Sequence, residues 1–324
     1  MRAGFLLAGL VACALTAWWL HARLVSAALF LRMEGGKGGP DWLVHYGEHA
    51  VEERPFALSS GARGLLYVPR GVAHPPGLVL AHGIHERGID EPRFKRLARA
   101  VASSGVSVLT PELADLVRFR VSRVGVETIA GAARDLAGAL AQRGVAVFGI
   151  SFGGGLALRA ACEPASRGSI ERVITLGAHH DAASVVRFSL GEAARGPDGT
   201  AATLRPNSYG GTILFAWLFD EKHKGLLSDA DKQRLRAALV ARKAELDAAS
   251  PAHCSQPLTL SLHLAHGLGD DIVPYTETLW NTAKFAPRTR LDVLISPVLG
   301  HSAYAAPTLW QRFQLLDFMA KALP

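Results

Sequence analysis

The fold is decided by the stretch Val145-Ala-Val-Phe-Gly-Ile-Ser-Phe-Gly-Gly-Gly-Leu-Ala-Leu-Arg159. Its first six residues are a short apolar run after Gly144, which is typical of a buried strand. From Gly153 onward, small and apolar residues predict a helix to Ala161. Between them lies a G-x-S-x-G pattern, which occurs at a sharp strand-to-helix turn that exposes a strained serine, here Ser151. The glycines are needed because side chains there would collide with the neighbouring strand or helix.

Strands and helices alternate on both sides of this turn, as expected for a parallel sheet with helices on both faces. The predicted strands are Glu53–Leu58, Gly64–Val68, Gly77–Ala81, Val106–Leu109, Val145–Ile150, Arg172–Leu176, Leu260–Leu264 and Arg290–Ile295. The predicted helices of the sheet layers are Phe94–Ala102, Thr128–Gln142, Gly153–Ala161 and Leu309–Ala322.

One long interval, Ser184–Pro257, interrupts the alternation and contains no predicted strand. It includes an aromatic run, Tyr209–Phe219, and a helix from Asp229 to about Ala249 with Ser228 as its N-cap. Because an insertion of this length in a compact domain is usually functional, we expect a helical lid. The expected core therefore has two parts, 51–183 and 258–324, separated by a lid at 184–257.

The N-terminus is apolar and uncharged from Ala3 to Leu20, close to the length that crosses a bilayer, with Trp18 and Trp19 at one end. We expect residues 1–32 to form a single-pass anchor in a bacterial inner membrane, followed by a linker at 33–50. Two alternatives stay open: export after cleavage near Val25-Ser-Ala27, and lipoprotein processing at Cys13. The sequence leaves the side of the membrane open.

The 324 residues are 49% hydrophobic and 19% charged, which is typical of a globular protein with an added apolar segment. The net charge of +7 does not indicate a nucleic-acid partner, because the arginines are scattered without a basic stripe. Attraction to an anionic membrane surface is the better interpretation. The cysteines lack metal-site spacing; Cys162 and Cys254 are the pair that could bridge, although nothing in the sequence requires it.

Two later segments supply partners for Ser151. A serine hydroxyl is a poor nucleophile unless a base lies within hydrogen-bond reach and an acid orients that base. The strand ending at Leu264 is followed by His266-Gly-Leu-Gly-Asp-Asp-Ile-Val-Pro274. The last strand is followed by Leu299-Gly-His-Ser-Ala303, so that serine, aspartate and histidine occur in the order that this sheet topology requires.

Together with the serine turn, these segments resemble the α/β-hydrolase superfamily, in which H-G-x-x-D-x-x-V-P holds the acid and G-H holds the base. The resemblance extends over roughly 51–324 and implies a mostly parallel, doubly wound α/β-hydrolase sheet with an inserted lid. It implies Ser151 as nucleophile, Asp270 as acid and His301 as base.

The dipeptide His82-Gly83 matches the turn after the third strand in the same superfamily. The resemblance implies that the backbone amides of Ile84 and Phe152 form an oxyanion hole, the pair of donors that stabilises the charged oxygen of a tetrahedral intermediate.

Other interpretations remain for several residues. Asp271 competes with Asp270, and Asp181, after the preceding strand, is an alternative acid. We place His82, His179, Phe215 and Trp217 in the substrate pocket, although the two aromatic residues suit plain core equally well. Adjacent histidines such as His179-His180 point in opposite directions in an extended chain, so we expect neither a metal nor a cofactor.

The sequence therefore predicts a membrane-anchored serine hydrolase that cleaves a carboxylic ester through an acyl-enzyme. Its partners are expected to be a small-molecule or lipid-like ester and the membrane. An acyltransferase, a thioesterase or an enzyme that cleaves amides would use the same three residues. A non-catalytic membrane-associated binding scaffold is the rival from another class.

Overall fold

The computed structural model describes residues 2–36, 38–221, 223, 225–299 and 308–324, in which eight strands form one sheet. The strands are β1 (Val51–Ala57), β2 (Arg63–Pro69), β3 (Gly77–Ala81), β4 (Ser107–Pro111), β5 (Val145–Ile150), β6 (Ile170–Leu176), β7 (Ser261–Gly267) and β8 (Leu291–Ser296). Their spatial order is β1-β2-β4-β3-β5-β6-β7-β8. The ladders β1–β2 and β2–β4 are antiparallel and all the others are parallel.

The helices of the described residues are α1 (Arg2–Met33), α2 (Asp41–Val44), α3 (Pro92–Ser103), α4 (Ala114–Val117), α5 (Arg123–Ala139), α6 (Phe152–Ala161), α7 (Ala182–Ser189), α8 (Ser208–Phe219), α9 (Asp229–Ala241), α10 (Lys243–Ala249), α11 (Thr276–Phe285) and α12 (Leu309–Ala322). Two apolar clusters cover the two faces of the sheet. Successive residues of β3 contribute to opposite clusters, Leu78 and Leu80 to one and Val79 to the other. This two-sided burial explains why the central strands are continuous apolar runs.

The predicted strands and sheet class are confirmed, with differences at element ends. The helix expected from Thr128 begins five residues earlier, at Arg123, because the Ser122 side chain accepts a hydrogen bond from the Val124 amide and caps it. Pro111, expected to lie beyond its strand, is the last residue of β4 and pairs with Gly64. A proline is tolerated there because the ladder ends with it.

The chain changes direction in the sheet next to β3. From β3 it passes through α3 to β4 on one side, and from β4 it passes through α5 to β5 on the other side of β3. The carboxyl ends of β3 and β5 are therefore neighbours at a topological switch point, where open α/β sheets form their ligand crevices. His82 follows β3, and Ser151 follows β5.

The interval Ser184–Pro257, described except for residues 222 and 224, contains helices and no strand. Ser228 caps α9 in a capping box with Asp231, as the sequence predicts. The single helix expected from Asp229 is divided at Arg242 into α9 and α10. The second of these packs against α5, α6 and α7, so this end of the interval covers the core.

A disulfide joins this interval to the centre of the fold. Cys162, immediately after α6, is bonded to Cys254, with the Cα atoms 5.8 Å apart. Cys13 is free and exposed. Disulfides persist in oxidising compartments, so this bond bears on the cellular location of the domain.

The helix α1 contains one segment, Cys13–Met33, that is long and apolar enough to cross a membrane; by length and composition it suits an anchor or a signal sequence. Its second half is packed on the domain: Ser26, Ala28 and Leu29 are buried, and α1 contacts α3 and α12. The Arg23 guanidinium forms an ion pair with Asp317 of α12. The end of the expected 1–32 anchor therefore packs on the globular unit, where Leu29 joins the apolar cluster that contains Phe94 and Leu78.

We expect Leu29→Ala to lower the free energy of unfolding by about 2–5 kcal/mol, because it leaves a cavity in a packed core. Leu29 is 1% exposed, whereas Leu20 of the same helix is 50% exposed and makes Leu20→Ala the matched control. Denaturant unfolding of the full chain in detergent micelles measures both values. Equal effects of the two substitutions would show that the second half of α1 does not pack on the domain.

Candidate active site

Ser151 lies at the turn between β5 and α6 in a conformation that few residues adopt. Its backbone has φ 54° and ψ −130°, in the region of positive φ that normally requires glycine. Such backbone conformations cost about 1–3 kcal/mol and persist only where the surroundings enforce them. The residue is 7% exposed and lines a cavity of about 840 Å³.

Three glycines allow this conformation by close backbone contact. A Cβ atom added to Gly149 would lie 2.4 Å from the Gly153 carbonyl oxygen, and one added to Gly153 would lie 2.2 Å from the His82 carbonyl oxygen. Added to Gly83, it would lie 3.1 Å from the Ser151 Cβ atom. Gly149 and Gly153 therefore have no room for a side chain, as the sequence predicts. The segment after β3 lies directly against Ser151.

The two expected oxyanion donors flank the serine. Phe152 is the first residue of α6, where a backbone N–H has no partner inside the helix and the helix dipole favours negative charge. Ile84 lies on the wall of the same cavity, next to the close-packed Gly83. Both residues therefore border the space beside Ser151.

His82 fixes the peptide that carries the Ile84 amide. The Leu113 amide donates to His82 Nε2 at 2.9 Å, so the ring proton is on Nδ1, which donates to the Gly83 carbonyl oxygen at 2.7 Å. A peptide is planar and trans, so holding the Gly83 carbonyl also fixes the Ile84 N–H, which points the opposite way. Burial lowers the pKa of His82, which favours the neutral ring that this arrangement requires.

Asp270 is buried in the turn after β7. Its Oδ1 accepts hydrogen bonds from the amides of Ile272 at 3.0 Å and Val273 at 2.9 Å. Beside it, His266 Nε2 lies 2.8 Å from the Val273 carbonyl oxygen and 3.5 Å from Asp270 Oδ2. These contacts hold the carboxylate in one orientation on the same edge of the sheet as Ser151.

The two competing carboxylates have other contacts. The backbone and side-chain oxygens of Asp271 accept hydrogen bonds from Asn207, the N-cap of α8. Asp181 caps α7 and pairs with Arg187 at 3.3 Å. Asp181 and Asp271 therefore each stabilise a helix start. Of the three carboxylates, Asp270 is the one that is buried. His301, the predicted base, lies outside the described residues.

The structure separates the four predicted pocket residues. His82 lines the cavity, whereas His179, Phe215 and Trp217 are buried in the core and do not line it. His179 packs against the start of α6, with its ring centroid 5.0 Å from that of Phe152. The interpretation of these three residues as pocket lining is therefore corrected.

Residues that the sequence did not single out form much of the cavity wall. Tyr209 and Ile213, one turn apart on α8, replace the expected Phe215 and Trp217. Met33, the last residue of α1, and the following Glu34 also line the cavity, and no sequence pattern connects them to Ser151. The apolar part of the wall includes Phe94, Leu97, Phe148 and Ile150. In the described part of the chain, no group of three or more histidine, cysteine or acidic side chains is arranged to hold a metal ion.

Neither a family model nor a curated protein matches the sequence. Among solved structures, an esterase from Pyrobaculum calidifontis is 18% identical with a TM-score of 0.54, covering 93% of this chain and 90% of that one. The chain has the α/β-hydrolase fold. The fold also relates it to the dipeptidyl peptidase 4 of Porphyromonas gingivalis, at 14% identity and a TM-score of 0.56.

A puromycin-hydrolyzing peptidase of Mycobacterium tuberculosis is similar at 17% identity with a TM-score of 0.54. The chain spans 36% of the length of the first of these peptidases and 39% of the second, and 85% of this chain is covered in both. The α/β-hydrolase likeness therefore extends over the greater part of this chain but only part of the peptidases.

The buried histidine His179 predicts a loss of stability in mild acid. Burial lowers its pKa to about 4, below the 6.5 of an exposed imidazole, so between these values the unfolded chain binds a proton that the folded chain does not. Stability therefore rises with pH through this window, and the contribution lost between pH 7 and pH 5 is about 2 kcal/mol. The free energy of unfolding, measured with denaturant at pH 7 and at pH 5, should differ less in His179→Asn than in the wild type. The same substitution at the exposed His74 should leave the difference unchanged; a wild-type stability independent of pH would contradict the account.

Proposed function

We propose that the chain is a serine hydrolase that cleaves carboxylic esters through Ser151, His301 and Asp270. The observation that carries the proposal is the strained backbone of Ser151 on the wall of a large cavity. Strained backbone conformations cluster at active sites, where the surroundings enforce them, and Ser151 combines such a conformation with a position on a cavity wall. The buried, hydrogen-bonded Asp270 and the two flanking amides support the same conclusion.

In the proposed reaction, His301 takes the proton from Ser151 Oγ as that oxygen attacks the carbonyl carbon of the ester. The amides of Ile84 and Phe152 stabilise the negative oxygen of the tetrahedral intermediate. As the intermediate collapses, His301 gives its proton to the alcohol oxygen, and the acyl group remains on Ser151. Water, deprotonated by His301, then attacks the acyl carbon, and His301 returns the proton to Ser151 Oγ as the carboxylic acid leaves.

The cavity wall supports a substrate with an apolar part. Phe94, Leu97, Phe148 and Ile150 line it, and its volume of about 840 Å³ lies in the range of sites for drug-sized molecules. We therefore propose an acyl or alcohol group of lipid-like character. Cleavage of a peptide bond is the second candidate, supported by the likeness to the two peptidases. A series of p-nitrophenyl esters of increasing acyl length, compared with peptide p-nitroanilides, distinguishes the two.

We propose that α1 anchors the protein in a bacterial inner membrane with the domain on the oxidising side. The part of α1 before Ala22 is about 30 Å long at 1.5 Å per residue, enough to cross the hydrocarbon core. The disulfide between Cys162 and Cys254 supports the orientation. A C-terminal reporter that is active only outside the cytoplasm tests it, and a stably expressed fusion without reporter activity would contradict the orientation.

Adjacent carboxylates provide a matched test of the catalytic assignment. We expect Asp270→Asn to lower kcat on a p-nitrophenyl ester by about 10³–10⁴-fold, because the amide no longer holds and stabilises the histidine. We expect Asp271→Asn, which removes a carboxylate that contacts Asn207 of the α8 cap, to leave kcat within about threefold.

Equal losses in the two variants, with the melting temperatures of both unchanged, would refute Asp270 as the acid. A large loss in Asp181→Asn alone would transfer the role to that residue.

A further inference from the structure

Positive charge collects at the amino edge of the sheet, the edge at which the parallel strands begin. The segments that lead into β3 to β8 at this edge are residues 70–76, 104–106, 140–144, 162–169, 250–260 and 286–290. They contain five arginines and one carboxylate, that of Glu163. The arginines are far apart in the sequence, so only the fold brings them to one edge. They form the amino-edge surface, which consists of the exposed residues Arg70, Arg143, Arg167, Arg288 and Arg290.

Most of this charge is not neutralised within the protein. Four of the five arginines have no ion-pair partner among the carboxylates of the described residues, and the fifth, Arg70, lies 3.5 Å from Glu52. Glu163 forms ion pairs with Arg123 and Arg159 and so does not neutralise the amino-edge surface. The surface is therefore available to an anionic partner.

The opposite edge of the sheet, where Ser151 lies, has the opposite charge. The described segments that follow β3, β4, β6 and β7 contain eight carboxylates and three arginines, in residues 82–91, 112–122, 177–181 and 268–275. The domain is thus basic at one end of its strands and acidic at the other. An anionic surface attracts the amino edge and repels the edge that carries Ser151.

The course of α1 along the domain is fixed by contacts at two levels. Its last residue, Met33, lines the cavity at the carboxyl ends of the strands. Nearer the start of α1, Arg23 forms an ion pair with Asp317 of α12. This helix ends at the amino edge, where the Arg172 guanidinium, near the start of β6, donates to the Leu323 carbonyl oxygen at 2.9 Å. Going back from Met33, α1 therefore runs toward the amino edge.

The part of α1 that leaves the domain has the features of a membrane interface. Trp18 and Trp19 are 70% and 44% exposed, and the Arg23 guanidinium lies over the Trp19 ring, 3.7 Å from its centroid. Tryptophan is enriched at the level of the lipid headgroups. With the preceding residues in the bilayer, the membrane surface therefore lies beside the amino edge.

We propose that the amino-edge surface binds the anionic surface of the bilayer that α1 enters. The proposal rests on α1 as a membrane anchor and does not depend on ester hydrolysis. The five guanidinium groups need not converge on one ligand, because a bilayer presents phosphate groups over its whole surface. Binding in this orientation places the cavity of Ser151 on the far side of the domain, so that a substrate enters it from the aqueous phase.

The test measures how close each edge of the domain lies to the lipid headgroups. The full chain with Cys13→Ser, which removes the free thiol, carries a bimane label at Ala73→Cys of the amino edge or at Leu268→Cys of the opposite edge; both positions are exposed. It is reconstituted into vesicles that contain a lipid with a nitroxide on its headgroup, which quenches bimane only at short range. The vesicles consist of phosphatidylcholine alone or of equal parts phosphatidylcholine and phosphatidylglycerol.

We expect strong quenching at residue 73 in the phosphatidylglycerol vesicles, weaker quenching there in phosphatidylcholine, and little quenching at residue 268 in either. Sodium chloride at about 1 M should reduce the quenching at residue 73, because it screens exposed charges and requires no substitution.

A matched pair of variants tests the arginines themselves. Each changes three exposed arginines to glutamine, at the amino edge in the test variant and at the opposite edge in the control. The test variant should lose on the order of a hundredfold in the equilibrium between bound and free domain, and the control should quench like the wild type. The test variant combines Arg143→Gln, Arg167→Gln and Arg290→Gln, and the control combines Arg87→Gln, Arg118→Gln and Arg120→Gln.

Flotation of the protein with the vesicles on a density gradient separates the possible failures. A chain that does not float would refute the anchor and with it the bound orientation. A chain that floats, but shows equal quenching at residue 73 in both lipid compositions or in both variants, would overturn the bound orientation alone. Hydrolysis of a soluble ester by the same samples reports separately on the proposed reaction.

Discussion

The geometry around Ser151 depends on direct backbone contact between the start of α6 and the segment after β3. There is no room for a side chain on Gly153, where a Cβ atom would lie 2.2 Å from the His82 carbonyl oxygen. The same tight packing at Gly149 forces the chain to reverse sharply, which leaves Ser151 at positive φ. Ser151 and the His82-Gly83 turn are therefore fixed by one contact, and the hydrogen bonds of the His82 ring hold the adjoining Gly83–Ile84 peptide.

The helix α1 connects the predicted membrane segment with this site. Its last turns are buried with α3 and α12, and its end supplies Met33 to the cavity that contains Ser151. An anchor joined by a flexible linker would let the domain tumble freely. Here the packed helix holds the cavity that contains Ser151 in a defined position relative to the segment that precedes Ala22.

The sequence could predict the features that depend on local chemistry. Continuous apolar runs mark strands buried on both faces, and the glycines beside Ser151 mark a turn that other residues cannot adopt. The direction of the side chains on α8 could not be predicted from the sequence. Tyr209 and Ile213 reach the cavity, whereas Phe215 of the same apolar helix packs into the core. The packing of α1 could not be predicted, because an apolar helix suits lipid and a protein core equally well. The direction of the Phe215 side chain and the packing of α1 are therefore set by tertiary contacts, which the sequence alone does not show.

Covalent labelling shows whether Ser151 is an activated nucleophile. A fluorophosphonate probe is incubated with the folded full chain, and tryptic peptides are analysed by mass spectrometry. We expect one adduct, on Ser151 in the peptide Gly144–Arg159, and its loss in Ser151→Ala. An unlabelled wild-type chain, or an adduct that persists in Ser151→Ala, would contradict it and favour a non-catalytic binding scaffold.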